Sequence, residues 1–237
     1  MVCHLQDMAS RASVHRAFLP LADRLIAVSH AVAESYLQCR HSPDKVDVIY
    51  NGVDLEEYRP GQARNADSRS QWNIPDDAFL LGIVGRIVRP KGHHILIRAL
   101  HSVKRALPDF RLAIIGATKL STDDPNQLNW SYLIELRALI KSLGLTQEVI
   151  FCGFQSNMPD VYQSVDVLVL PTFTDAFGRT LIEAMAMEKP VISSAVGGTV
   201  EVVENGKTGL LVPPGQPDPL AEAILALAKN RESGRRM

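Results

Sequence analysis

The sequence is poor in cysteine and has no long apolar run. Three cysteines, Cys3, Cys39 and Cys152, occur among 237 residues, and none of them forms a CxxC pair. An odd number without ligand spacing argues against both a disulfide framework and a cysteine-based metal site. Cys152 lies in an apolar run and is predicted to be a core residue. No stretch of about 18 apolar residues is present, so no membrane-spanning helix is predicted.

Clustered basic charge and a leader peptide are also missing. The formal net charge is −1, from 25 Lys and Arg against 26 Asp and Glu. A nucleic-acid partner is not expected, because phosphate backbones require a basic surface. The opening MVCHLQDM has no basic region followed by an apolar core, so it does not predict a signal peptide. These absences favour a cytoplasmic protein.

The sequence does have a series of short, continuous apolar runs separated by helical segments. Such runs are typical of strands that are covered on both faces. They lie at 79–85, 111–116, 148–153, 166–171, 190–193 and 209–213. Helices are predicted at about 91–106, 130–143, 158–164, 178–188, 198–204 and 217–230. The alternation predicts an α/β fold with a doubly wound parallel sheet, Rossmann-like.

The first fifty residues predict a different unit. We expect a strand at 23–29, a helix that Ser29 caps, and a second strand at 45–50. Because this stretch is too short to bury a core of its own, residues 1–50 are interpreted as the remnant of a preceding α/β domain, and 51–237 as the main domain. A polar segment at 61–70 is predicted to be a surface loop. The polar ending NRESGRRM suggests that the main domain is truncated at its C-terminus.

Several predicted strands end in residues that suit a ligand. In open parallel sheets, ligands bind at the carboxyl ends of the strands, where glycines let them approach the backbone. Gly85, Gly116 and Gly153 occupy such ends. Arg86 and Lys91 follow the first of these strands, and two cations around a tight turn suit a diphosphate. The alternative is that both are solvated loop charges.

The fourth strand leads into a helix at Phe177–Thr180. Free amides at a helix start, together with the positive end of the dipole, form an anion site. The alternative is an ordinary helix start that Asp175 or Thr174 caps. Glu183 lies further along among apolar residues, so its carboxylate requires a partner or a cleft. Ribose hydroxyls would satisfy it, and so would a nearby lysine or arginine.

Three histidines, His93, His94 and His101, lie on or beside the first helix of the main domain. We expect them at the helix surface and assign them no catalytic role.

These motifs together resemble a known family. GRIVRPKG, the segment from DVLVLP to DAFGRTLIEAMA, and AVGGTVEVVENGKTGLLVPPG are similar to the retaining glycosyltransferases of family 4, which have the GT-B fold. ADRLIAVSHAV and VDVIYNGVDLEEYRP resemble the segment where that family's first domain joins its second. The resemblance covers nearly the whole chain. It implies that 1–50 end the N-terminal acceptor-side domain and that 51–237 bind the nucleotide-sugar donor.

The resemblance also implies roles for individual residues. Arg86 and Lys91 would bind the donor diphosphate, and Glu183 would bind the ribose. The family has two glutamates separated by seven residues, and Asp175 takes the place of the first, which contacts the transferred sugar. Because aspartate is one methylene shorter, that contact is expected to be weaker, water-bridged or suited to another sugar. The other expected donor-binding residues are Gly85, Gly116, Phe154 and Gln155 (near the base), Phe177, Gly178, Arg179 and Thr180.

The function implied is retaining transfer of a sugar from a UDP-, GDP- or ADP-sugar to a sugar, lipid or other small-molecule acceptor, in the cytoplasm or peripheral to a membrane. No cofactor and no metal are expected, since the two cations stabilise the leaving diphosphate. The family's first domain supplies acceptor contacts, so this chain alone is expected to show little or no transfer.

Two alternatives belong to other functional classes. The first is a non-catalytic nucleotide-sugar-binding module or subunit that needs a partner chain. The second is a nicotinamide-dependent dehydrogenase, which requires a G-x-G-x-x-G turn after the first strand. GIVGRIVRPKG does not supply that turn.

Overall fold

The computed structural model describes residues 2–8, 21–38, 43–61, 68–116 and 128–229. These residues contain two parallel sheets. The smaller sheet has three strands in the order β1-β2-β3, and α1 connects β2 to β3. Its elements are β1 (Val2–Leu5), β2 (Arg24–Ala27), α1 (His30–Leu37) and β3 (Val46–Val48).

The larger sheet has six strands in the order β6-β5-β4-β7-β8-β9, all parallel. The strands are β4 (Phe79–Val84), β5 (Phe110–Ile115), β6 (Val149–Gly153), β7 (Val167–Leu170), β8 (Val191–Ser194) and β9 (Leu210–Val212). The order reverses between β4 and β7, as in a doubly wound nucleotide-binding domain. The predicted fold class is therefore confirmed, and the reversal opens a crevice at the carboxyl ends of β4 and β7.

Helices cover both faces of the larger sheet. They are α2 (Ser68–Gln71), α3 (His93–Ala106), α4 (Leu128–Ser142), α5 (Met158–Ser164), α6 (Arg179–Ala186), α7 (Thr199–Val202) and α8 (Pro217–Lys229). Phe79 and Leu81 of β4 pack into a core with α3, α4 and α8, whereas Leu80 packs on the opposite face with α5. Alternate side chains of one strand thus enter two cores, which explains why the strand is apolar at every position.

In the described residues between 2 and 61, here called the upstream segment, one local prediction is confirmed and one strand was not predicted. Ser29 does cap α1, because its Oγ accepts a hydrogen bond from Val32 N at 3.1 Å. The strand Val2–Leu5 was not predicted, since it has four residues and only Leu5 is fully buried. Cys39 and the residues beyond 229 lie outside the described part of the chain.

The predicted surface loop at 61–70 is wrong for its last residues. Ser68–Gln71 forms a helical turn, and Ser68 is buried; residues 62–67 lie outside the described ranges. Cys152 is partly buried, as expected of a core residue, and burial raises the pKa of its thiol to about 12. Within the described ranges no helix has the length and apolarity needed to cross a bilayer.

One arginine in α2 connects three segments at the start of the main domain by hydrogen bonds and an ion pair. Arg69 Nη1 contacts three carbonyl oxygens between residues 75 and 78, at 2.9 to 3.2 Å. Its Nε donates to the Ser164 carbonyl at 2.9 Å, and its Nη2 donates to Asp166 Oδ2 at 2.8 Å. The same carboxylate oxygen accepts from Leu80 N at 2.8 Å. Arg69 thereby joins α2, the turn before β4 and the turn before β7.

Replacing this arginine should destabilise the domain. We expect Arg69→Ala to lower the free energy of unfolding by about 3 kcal/mol, because it leaves a partly buried carboxylate and several carbonyls without their donor. Urea unfolding measures the difference. The matched control is Arg105→Ala on the exposed side of α3, which should stay within about 0.5 kcal/mol of the unchanged protein. Equal effects of the two substitutions would show that the Arg69 contacts stabilise the protein no more than an exposed arginine does.

Candidate functional site

The loops that follow β4 and β7 meet over the crevice. Gly92 has a φ of +72°, and a Cβ at this position would lie 1.8 Å from the carbonyl oxygen of Pro171. Phe173 N and Thr172 Oγ1 both donate to the Pro90 carbonyl, at 2.8 and 3.0 Å. A residue with a side chain cannot occupy position 92 without separating the two loops. This close approach fixes where the residues on either side of it lie.

Lys91 and Asp175 are brought together by that approach. Lys91 Nζ lies 2.6 Å from Asp175 Oδ2, and the two side chains are 27% and 12% exposed. The other carboxylate oxygen, Oδ1, accepts from Phe177 N at 3.3 Å. The resemblance placed both residues in one site but did not predict that they form an ion pair. The pair leaves this part of the crevice with little net charge.

A cavity of about 190 Å³ lies directly beside this pair. Lys91 and the loop Asp175–Thr180 form part of its wall. The upstream segment contributes Gln6, which follows β1, and Asn51, which follows β3. Neither residue was predicted to belong to the site. The cavity therefore lies at the junction of the two sheets.

The start of α6 forms one wall of the cavity without a side-chain cap. Gly178 is its N-cap residue, with a φ of 91°, and it has no side chain to offer. The alternative, a cap by Asp175 or Thr174, is not present, since the Asp175 carboxylate binds the amide of Phe177, one residue before the helix cap. The first amides of α6 consequently face the cavity region with their partial positive charge.

Glu183 has protein partners and does not line the cavity. Tyr162 donates its hydroxyl to Glu183 Oε2 at 2.7 Å, and Arg179 Nη2 lies 3.5 Å from Oε1. The alternative pairing with a nearby cation is thus present, on the same helix, and Tyr162 is an additional partner that the sequence did not indicate. Burial, together with the Glu183 carboxylate, raises the pKa of Tyr162, so this hydroxyl remains a donor. The Glu183 side chain is 12% exposed.

The predicted site residues at the ends of β4 and β5, Gly85, Arg86 and Gly116, do not line the cavity. Arg86 is exposed, and its guanidinium forms no hydrogen bond or ion pair with another described residue; its backbone carbonyl accepts from Val88 N at 2.9 Å. A Cβ on Gly116 would lie 2.0 Å from the Gly85 carbonyl oxygen. Packing between neighbouring strand ends is thus sufficient to require a glycine at 116.

Phe154 and Gln155 follow β6, two strands away from β4 in the sheet. The ring of Phe154 is 75% exposed, and Gln155 Nε2 donates to the Cys152 carbonyl at 2.7 Å. A role for them in binding a base stays a prediction. Among the described residues, no group of three or more potential ligands is arranged to hold a metal ion.

The expected surface position is wrong for His93. Its side chain is 1% exposed, and neither ring nitrogen forms a hydrogen bond of ordinary geometry with the described residues. Burial, assisted by His94 and Lys91, lowers the pKa of His93 to about 4 against an opposing effect of the Val88 backbone. His94 is half-buried and contacts Tyr132, with Nδ1 2.8 Å from the hydroxyl. His101 is exposed, as predicted.

The models of two glycosyltransferase families match the chain. The model described as glycosyl transferases group 1 covers residues 65–237, which include the whole six-stranded sheet. The chain belongs to the glycosyl transferases group 1 family. The model of glycosyltransferase family 4 covers residues 4–57, which include most of the smaller sheet. Seven residues, 58–64, separate the two matches.

Relatives in this family include D-inositol 3-phosphate glycosyltransferases. The chain is 31% identical to that of Mycobacteroides abscessus over 217 residues, which are 90% of this chain and 46% of the relative. It is 34% identical to that of Mycobacterium leprae over 194 residues, 81% of this chain and 42% of the relative. The chain thus spans about half the length of the curated relatives it matches.

Solved structures of similar fold include HepE of Anabaena in complex with UDP. It superimposes with a TM-score of 0.86 and 29% identity, over 99% of this chain and 64% of HepE. HepE has also been solved with UDP-glucose. The C-terminal domain of the group 1 glycosyltransferase LpcC of Francisella tularensis gives a TM-score of 0.65 at 29% identity, over 78% of this chain. The six-stranded sheet is therefore the Rossmann-like half of a GT-B fold.

The buried His93 predicts a pH dependence of the stability of this chain. Its pKa is about 4 in the folded protein, against an ordinary value of 6.5, so the unfolded chain takes up the proton first as the pH falls. The contribution of neutral His93 to the free energy of unfolding is fully present above pH 6.5. It decreases as the pH falls toward 4, by about 3 kcal/mol at most.

Urea unfolding between pH 7 and pH 4 measures this effect. We expect His93→Leu to lose less stability over that range than the unchanged protein. His101→Gln, on the exposed surface of the same helix, should leave the pH dependence as it is. If His93→Leu and the unchanged protein lose stability in parallel, His93 does not stay neutral when buried.

Proposed function

We propose that this chain binds a nucleoside-diphosphate sugar and that it forms the donor-binding half of a retaining glycosyltransferase. A single observation carries the proposal. A lysine, a carboxylate and an uncapped helix start line one cavity at the crevice where the strand order of the sheet reverses. In sheets of this type, that crevice is where ligands bind.

The charges of the cavity suit a diphosphate. Lys91 supplies a fixed cation, and the first amides of α6 supply donors that are oriented by the helix dipole. When a glycosidic bond to a diphosphate breaks, negative charge grows on the leaving oxygens. Donors held in place beforehand stabilise that charge more strongly than the substrate, which is what lowers the barrier. Under this proposal no metal ion is required.

Arg86 is proposed to complete this diphosphate site. It lies two residues after the end of β4, is exposed, and is separated from Lys91 by one short turn. A guanidinium that has no partner among the described residues can turn toward a phosphate without breaking an existing contact, and its planar fork binds phosphate oxygens in pairs.

Asp175 and Glu183 are proposed to hold the two sugar rings of the donor. Asp175 lies in the cavity wall next to Lys91, where it can accept hydrogen bonds from hydroxyls of the transferred sugar. Glu183 uses part of its capacity for Tyr162 and Arg179. An ionised carboxylate has about four acceptor positions, so room remains for ribose hydroxyls on its exposed side.

The relatives support a UDP-sugar as the donor. HepE is known in complex with UDP and with UDP-glucose, and the curated relatives are D-inositol 3-phosphate glycosyltransferases. The proposed acceptor of this protein is a sugar, a lipid or another small molecule, whose contacts would come from the acceptor-side domain or a partner chain.

A second candidate is a module that binds nucleotide sugars without transferring them. The direct contact between Lys91 and Asp175 favours it, since a cation already paired with a carboxylate has less charge to offer a leaving group. Mixing the chain with a candidate acceptor-side domain separates the two candidates. Transfer in the mixture supports the glycosyltransferase, whereas binding without transfer supports the module.

Substitution of the two cations tests the proposed site. We expect Arg86→Ala and Lys91→Ala each to weaken the binding of UDP on the order of 10-fold, because each removes a charge-assisted hydrogen bond to the diphosphate. In a protein that contains both halves, each should also lower the transfer rate by about 10²–10³. Calorimetric titration with UDP, GDP and ADP, followed by the matching nucleotide sugars, measures the affinities.

Arg105→Ala is the matched control, because Arg105 is also exposed but lies on α3 away from the crevice. It should leave nucleotide affinity unchanged. Three equal and small effects, or no binding of any nucleotide by the unchanged chain, would refute the proposed donor site.

A further inference from the structure

One glutamate of the donor-binding half makes three hydrogen bonds to the upstream segment. Glu201 Oε2 accepts from His30 N at 2.8 Å and from the Tyr50 hydroxyl at 3.0 Å. Glu201 Oε1 accepts from Ala31 N at 2.8 Å. The carboxylate thus satisfies the first free amides of α1, which belongs to the smaller sheet. These contacts bridge more than 150 residues of sequence.

The element that carries Glu201 also packs on the loop Asp175–Thr180, here called the donor loop. Before α7 the chain turns at Gly197 and Gly198, and Gly198 N donates to the Asp175 carbonyl at 3.0 Å. A Cβ on either glycine would lie 2.2 Å from a carbonyl oxygen, that of Asp175 or of Ala176. The backbone of Asp175–Phe177 is therefore held from one side by the turn that leads into Glu201.

The upstream segment holds the same loop from the other side. Ser29 Oγ donates to the Ala176 carbonyl at 2.6 Å, and the ring of Tyr50 packs against Phe177 at 5.6 Å between centroids. Phe177 is buried in the apolar core of the smaller sheet, together with Leu25. The donor loop lies between α7 and the start of α1, and the Glu201 carboxylate joins these two elements by hydrogen bonds.

We propose that Glu201 is a positioning residue for the donor site. Its carboxylate holds α1 and Tyr50 against the donor loop, and Asn51, the next residue along the chain, stays in the cavity wall as a consequence. Glu201 itself does not line the cavity, so it acts through these neighbours. This inference rests on the proposed function, because the cavity it positions is the proposed donor site.

The chemistry of the three donors explains why a carboxylate is needed. Two amides and a hydroxyl all donate, so the residue between them must accept with both of its oxygens. Its negative charge also lies at the positive end of the α1 dipole. Glutamine would keep one acceptor oxygen but place an amide group opposite a donor. Glu201→Gln should therefore weaken the hold on α1 and Tyr50 in part, and Glu201→Ala should abolish it.

Hydrogen exchange and calorimetry on the whole chain test the proposal together. In Glu201→Ala we expect amide protection to fall both at 29–33 and at 174–179, and affinity for UDP-glucose to fall on the order of 10-fold. Glu201→Gln should give a smaller change of the same kind. The control is Glu204→Gln, whose carboxylate contacts only the neighbouring Lys207 among side chains of the described residues, at 2.9 Å. It should change neither measurement.

Loss of protection at 29–33 alone would overturn the inference, because Glu201 would then act only as a helix cap. Unchanged UDP-glucose affinity with lost protection at both segments would overturn it as well. If the unchanged chain binds no nucleotide, the proposed function fails, and the exchange result by itself still decides whether Glu201 couples the two segments. If Glu201→Ala does not fold, Tyr50→Phe replaces it in the same two measurements. This variant removes only the hydrogen bond from the Tyr50 hydroxyl to Glu201.

Discussion

The contact between two backbone turns governs the geometry of the candidate site. The turn that ends at Gly92 lies against Pro171 so closely that only a glycine fits between them. Two hydrogen bonds to the Pro90 carbonyl hold the contact in place. Because the turns follow neighbouring strands of the sheet, their contact places Lys91 beside Asp175. The cation and the carboxylate thus meet through backbone packing as well as through their own attraction.

The donor loop belongs structurally to both sheets. It leaves the carboxyl end of β7 in the larger sheet, yet Phe177 is buried in the core of the smaller one. Ser29 and Glu201 add hydrogen bonds across the same junction. A ligand bound in the cavity would contact both units at once. This arrangement agrees with a GT-B glycosyltransferase, whose site is formed between two domains, and it explains why the upstream segment contributes Gln6 and Asn51 to the wall.

The sequence predicted the larger sheet well and the junction poorly. Strands buried on both faces, such as Phe79–Val84, are apolar at every position, so their location is a local property of the sequence. The positions of the glycines and cations at the strand ends could be predicted as well, because these residues follow the apolar runs in the sequence. The burial of His93 and the role of Glu201 depend on contacts between residues far apart in the chain, which no local pattern encodes. The strand Val2–Leu5 was not predicted because it is short and largely exposed.

The most direct test of the account is the set of backbone amide shifts of the ¹⁵N-labelled chain during titration with UDP. If the diphosphate binds between Lys91 and the start of α6, the amides of Gly178, Arg179 and Thr180 should shift together and saturate with one dissociation constant. The amides of α8, which pack on a face of the sheet away from the crevice, should not move. Saturating shifts in α8, with no change at 178–180, would contradict the central claim that this helix start binds the diphosphate.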